Sequence, residues 1–313
     1  MKAAALIGVL VMAHGGDPAW NKVVEEAVAP LRAKRPTALA YGMADAESLQ
    51  HAVYDLERQG VRKIAVVRLF LSGDSFLLRT EKILGVVPGA GPKADLAVSV
   101  DHDSVSEVVH SSVGSHEHHG AMAGYPHVGR GTHGGGSHAH HMDPDLMPLW
   151  KVTTVSTFTV SRQGLLEAGL GPDIMAKRAK ALSKVPATES VLLVAHGVGD
   201  DKADQRWRAA MLPAVAAVKK AAPFRKVAAV TLRDDWPEAH AKAVAEIKAF
   251  VAEAKRDGGR ALVVPYRLYG FGPQSSSLDG LDIVTDDKGL LPDPSVASWL
   301  VAESDRLIKE AHW

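Results

Sequence analysis

The run VLVMAHGGD at residues 9–17 returns at 192–200 as LLVAHGVGD, so one chain holds two apolar strands that each end in Ala-His-Gly. An internal repeat of this kind constrains the fold more than any composition does, because it requires two copies of one strand-turn-helix unit. It also puts two histidines, His14 and His196, at equivalent strand ends. In parallel α/β sheets ligands bind in the crevice beyond the carboxyl ends of the strands. A histidine there can meet a ligand, a metal ion or a proton; the plainer role for it is to cap the helix that follows.

The repeat extends well past the strand. Apolar-periodic helices are expected at 19–33 and 205–222, short strands at 38–43 (ALAYGM) and 227–232 (VAAVTL), and second helices at 47–58 and 237–256. Each second helix runs into glycine, at Gly60 and at Gly258-Gly259, where a helix commonly stops. Third strands read KIAVVRLFL at 63–71 and ALVVPYRLYGF at 261–271. Near-continuous apolar strands alternating with helices predict an α/β fold of two lobes, each a parallel sheet flanked by helices. We divide the chain into a first lobe at 1–185, with an insertion at about 101–146, and a second at 186–313. A length of 313 residues suits two such lobes.

The chain has 36 basic and 36 acidic residues, which argues against a nucleic-acid partner. It has no cysteine, so any metal must be held by nitrogen and oxygen. Met1-Lys2 and the apolar run through Ala13 look like a short signal peptide, but the same strand recurs internally, where no signal could act. The run is therefore read as structure and the protein as cytoplasmic, with no membrane partner.

Ten of the fifteen histidines lie between His102 and His141, among glycine and serine. Such a stretch is too polar to fold alone, and its neutral imidazoles suit late first-row divalent ions. His116, His118, His119, His138, His140 and His141 are its densest part, and we read it as a disordered, metal-collecting loop. Other chemistries lack their signatures: Ala13 and Ala195 stand where a phosphohistidine turn would have arginine, and no P-loop, nucleophile elbow or zinc-protease helix occurs.

The ordered segments LVMAHGG at 10–16, GMADAESLQHAVYDLERQGVRKIAVVRLFLS at 42–72, LLVAHGVGDD at 192–201, VVPYRLYGFGP at 263–273, LDGLDIV at 278–284 and GLLPDP at 289–294 resemble the class II tetrapyrrole chelatases, which insert cobalt or iron into sirohydrochlorin. The resemblance implies a divalent metal (cobalt, iron or nickel) as substrate, a carboxylated tetrapyrrole as partner, and neither an organic cofactor nor ATP. It places metal ligation and proton acceptance on His14, with an acidic helper at Asp45 or Glu47. Where the family has a second histidine after the third strand, this chain reads Ser72-Gly73-Asp74-Ser75, so Asp74 becomes the candidate ligand. His196 is then an accessory metal ligand or a relic. Arg68, Arg79, Arg162 and Arg267, near strand ends, are candidates for the substrate's carboxylates. The rival reading is a protein that stores or delivers metal through its histidine loop without catalysing insertion.

Overall fold

The computed structural model describes residues 5–93, 149–286 and 288–313. The histidine-rich insertion, including the six clustered histidines named above, lies outside the described residues.

The first sheet begins with β1 (Leu6–Ala13) and α1 (Pro18–Arg32), followed by β2 (Thr37–Tyr41), α2 (Ala46–Arg58) and β3 (Val61–Leu69). Asp17 caps α1 by accepting from the Trp20 N–H at 2.8 Å, and Pro18 supplies the preset φ of a first helical residue. A short helix α3 (Leu77–Ile83), a two-residue parallel pair β4 (Gly91–Pro92) and β5 (Trp150–Lys151), and β6 (Thr157–Val160) follow. The four long strands are parallel in the order β2-β1-β3-β6.

After α4 (Gly171–Leu182) the pattern repeats as β7 (Glu189–Ala195), α5 (Asp201–Ala221), β8 (Lys226–Thr231), α6 (Pro237–Ala254) and β9 (Arg260–Pro265). The second sheet is parallel in the order β8-β7-β9, and Val284 bridges Leu262 in parallel where the first sheet has β6. The third strands are shorter than their apolar runs: β3 ends at Leu69 and β9 at Pro265, after which the chain turns away. The last helix, α7, spans Pro294–Glu310.

Alternation along each strand sorts residues between two faces. Val9, Val11, Ala65 and Val67 face one cluster, which also holds Val191, Leu193, Leu262 and Val264 of the second sheet. Leu10, Met12, Ile64 and Val66 face α2 in another, and Leu192, Val194 and Val263 face α6 in a third. The shared cluster is built from α1, α4, α5 and α7, and its helices cross the 185/186 boundary. α4 packs on α5 and β9, whereas α7 packs on α1 and β3. Each half thus lends a helix to the other's sheet. Among the described residues no helix is long and apolar enough to cross a membrane.

Candidate functional site

Strand order fixes where a ligand can sit. In the orders 2-1-3 and 8-7-9 the chain leaves β1 and β7 in one direction and returns on their other side, so both are switch points, where the loops part and open a crevice. His14 follows β1 and His196 follows β7, each directly at its switch point.

His14 is half-buried, edge-on to the rings of Phe70 (5.2 Å between centroids, 83°) and Phe76 (5.8 Å, 76°). The loop after it is tight. A Cβ on Gly16 would stand 2.8 Å from the Trp20 ring, and Gly16 N–H donates to Asn21 Oδ1 at 3.1 Å. Trp20 also meets Tyr269, of the segment after β9, edge to face at 5.9 Å.

The other residues expected from the sequence fall into different settings. Asp45 caps α2, accepting from Ser48 N–H at 2.7 Å. Glu47 lies exposed in the first turn, paired with Lys93 at 2.9 Å and His51 at 3.4 Å. Asp74 is exposed, and its backbone closes the turn through Ser72 Oγ and Leu77 N–H. Arg79 donates to the Ala44 carbonyl at 3.0 Å, while Arg162 pairs with Glu81 at 2.8 Å from the surface.

Arg68 corrects the sequence reading. It is only 1 % exposed and donates to the carbonyls of Ser161 (2.8 Å), Ser75 (2.6 Å) and Gly73. On the adjoining backbone, the Glu167 carboxylate accepts from the N–H groups of Gly73 (2.9 Å) and Gly164 (2.8 Å). Arg68 is therefore an internal clamp on the 72–76 loop, not a surface group for a ligand's carboxylates.

The second crevice holds residues that sequence reasoning missed. His196 Nδ1 lies 3.2 Å from Asp234 Oδ2, its Nε2 3.0 Å from Asp235 Oδ2, and Arg267 Nη2 3.0 Å from Nδ1. Asp234 also faces Arg267 Nη1 at 3.6 Å and His240 Nδ1 at 3.7 Å. His240 bonds the Leu232 carbonyl at 2.9 Å and Ser277 Oγ at 3.2 Å. The signal was available in Leu232-Arg233-Asp234-Asp235, which sits after β8 as Gly42–Asp45 sits after β2. Of the expected residues, His196 and Arg267 are brought into direct contact. His14, Asp74 and His196 do not share a coordination sphere: among the described residues no three histidines or carboxylates are placed to hold an ion.

A guanidinium only donates, so Nδ1 of neutral His196 can accept from Arg267, whereas Nδ1–H of the imidazolium turns to Asp234. Burial pulls the His196 pKa down, but the hydrogen bonds of Asp234 and Asp235 outweigh it and hold it above 6.5 despite the nearby Arg267 charge. A raised folded-state pKa contributes stability that is fully present below about pH 6.5, the unfolded value, and is lost as pH rises through the folded value. The denaturation midpoint of wild type minus that of His196→Gln should therefore shrink from pH 6 toward pH 9. A constant or growing difference would refute the assignment of charge to His196.

Two parallel sheets related by duplication, each with a histidine at its switch point, define a duplicated α/β fold. Residues 8–118 match the model of the CbiX family. The chain is similar to SirB from Bacillus subtilis with Fe3+ at a TM-score of 0.55, with 11 % identity over 98 % of this chain and 98 % of that one. A sirohydrochlorin chelatase, SirB from Bacillus subtilis subspecies spizizenii in complex with cobalt, gives 0.50 at 10 % identity, over 97 % and 96 % of the two chains. No curated protein matches the chain in sequence.

Proposed function

We propose that the protein inserts a divalent metal ion (cobalt, iron or nickel) into sirohydrochlorin or a related carboxylated tetrapyrrole. The observation that carries this reading is His14, a half-buried imidazole at a switch point of the first sheet, within the segment 8–118 that matches the CbiX family model. Insertion exchanges two pyrrole protons for one dication. An imidazole serves both sides of that exchange, since its neutral form ligates the ion and then accepts a proton near pH 7. Asp74 and Arg162, both exposed on the segments flanking Gly73, are assigned to the metal's approach and to a substrate carboxylate. Asp45 and Glu47 are less suited, because one caps α2 and the other is paired with Lys93.

The deciding assay mixes the protein with sirohydrochlorin and Co²⁺, Fe²⁺ or Ni²⁺ and follows absorbance. Rates no faster than the uncatalysed ones, with metal bound, would favour storage or delivery instead. The histidine tract at 102–141 is assigned to metal collection on its composition alone. Its deletion should lower the number of ions bound while leaving turnover at saturating metal intact, as calorimetric titration and the same assay would show. An unchanged stoichiometry would end that assignment.

A further inference from the structure

Phe76 is a bulky residue in the left-handed region, at φ 56° and ψ 14°. Side chains with a Cβ seldom adopt this conformation, and it persists only where the surroundings over-determine it. They do so here. Fully buried Thr80 donates through Oγ1 (2.8 Å) and N–H (2.9 Å) to the Phe76 carbonyl, and Arg68 holds the preceding Ser75 carbonyl at 2.6 Å. Arg68 and Glu167 fix Gly73 from either side, so the whole loop is braced against the sheet.

The bracing presents an aromatic ring to His14. Phe70 is 2 % exposed and backs the cluster from within, whereas Phe76 is half-buried and packs edge-on to it at 5.4 Å and 63°. Two residues on, Leu78 is 58 % exposed, which extends the apolar rim. The loop that lacks a second imidazole thus supplies an apolar, aromatic border beside the first.

We propose that Phe76 is a positioning and specificity residue: its ring, backed by Phe70, forms a wall that seats the flat conjugated face of a macrocycle beside His14. This rests on the reading of the chain as a tetrapyrrole chelatase. Aromatic contacts favour a planar π-system beyond its buried area, and a non-aromatic chain of similar bulk loses that part. The braced, left-handed backbone fixes the ring before the ligand arrives, which lowers the entropy lost on binding.

The test is binding of metal-free sirohydrochlorin, followed by fluorescence, alongside steady-state insertion kinetics. Phe76→Leu should weaken binding by about tenfold and raise KM far more than it lowers kcat, and Phe76→Tyr should restore both. The His14 ring-proton NMR shifts should move in Phe76→Leu, because a ring current is removed, and stay near wild type in Phe76→Tyr. Should Phe76→Leu lose the folded circular dichroism spectrum, Phe76→Met fills the gap with a flexible non-aromatic chain and takes its place. Wild type that binds sirohydrochlorin while Phe76→Leu binds it equally well overturns the wall alone. Wild type that binds no sirohydrochlorin overturns the chelatase reading and the wall with it.

Discussion

His14→Ala should lower metal insertion by about 10²- to 10⁴-fold, the range that a positioned acid or base contributes, while His196→Ala leaves turnover within severalfold of wild type. The duplication makes the two histidines equivalent in sequence, yet their surroundings differ. His14 stands against two phenylalanine edges at the switch point of the matched segment. His196 has both ring nitrogens facing carboxylates, with Arg267 on one of them. A ligand needs a neutral nitrogen with its lone pair available, and a network that favours the imidazolium opposes that. Single-turnover insertion by both variants decides the matter. Equal losses, or a larger one from His196→Ala, would move the chemistry to the second crevice.

Arg68→Met should lower stability by roughly 3–5 kcal/mol, since it strips a donor from three carbonyls, two of them in buried bonds. The guanidinium serves Ser161, Ser75 and Gly73 at once, and the Arg68 N–H also donates to Ser161 Oγ at 2.9 Å. Burial pulls the pKa of Arg68 down while Glu81, Asp74 and Glu167 support its charge. Arg68→Lys should recover little, because one ammonium cannot span acceptors arranged for a fork. Chemical denaturation of the three proteins is the check. A loss below about 1 kcal/mol in Arg68→Met, a typical value for an ordinary substitution, would show that the clamp is dispensable.

Strands were legible in the sequence because a buried parallel strand is an unbroken apolar run, and the repeat doubled every such signal. Helix starts were nearly as clear, although α5 begins at Asp201, four residues before the expected Gln205, where Asp200 caps it. Strand ends were less clear. The run at 261–271 stays apolar beyond Pro265 because Tyr266 and Leu268 are buried in the shared cluster and Phe271 in the cluster that faces α6. Burial, not strand structure, is what an apolar run reports.

The candidate site was half legible. The repeat exposed His14 and His196, but Asp234 and Asp235 look like ordinary surface acids until β8 is laid beside β7. Arg68 misled for the converse reason. A charge near a strand end reads as exposed, but β3 lies between β1 and β6, and Arg68 N–H and Nε both meet Ser161, which follows β6. Asp45 and Glu47 are two residues apart, and helix direction alone decides which one turns back to the α2 N-terminus.

The sequence by itself determined two copies of a strand-helix unit, each ending its first strand in Ala-His-Gly, because apolar period and turn chemistry are local properties. Tertiary structure alone decided that β1 and β7 are the switch points, that α4 and α7 cover each other's sheets, and that one histidine meets phenylalanines while its twin meets carboxylates. Those outcomes depend on which distant segments bury one another. The free energy of burial depends on area removed from water, which no stretch of sequence specifies by itself.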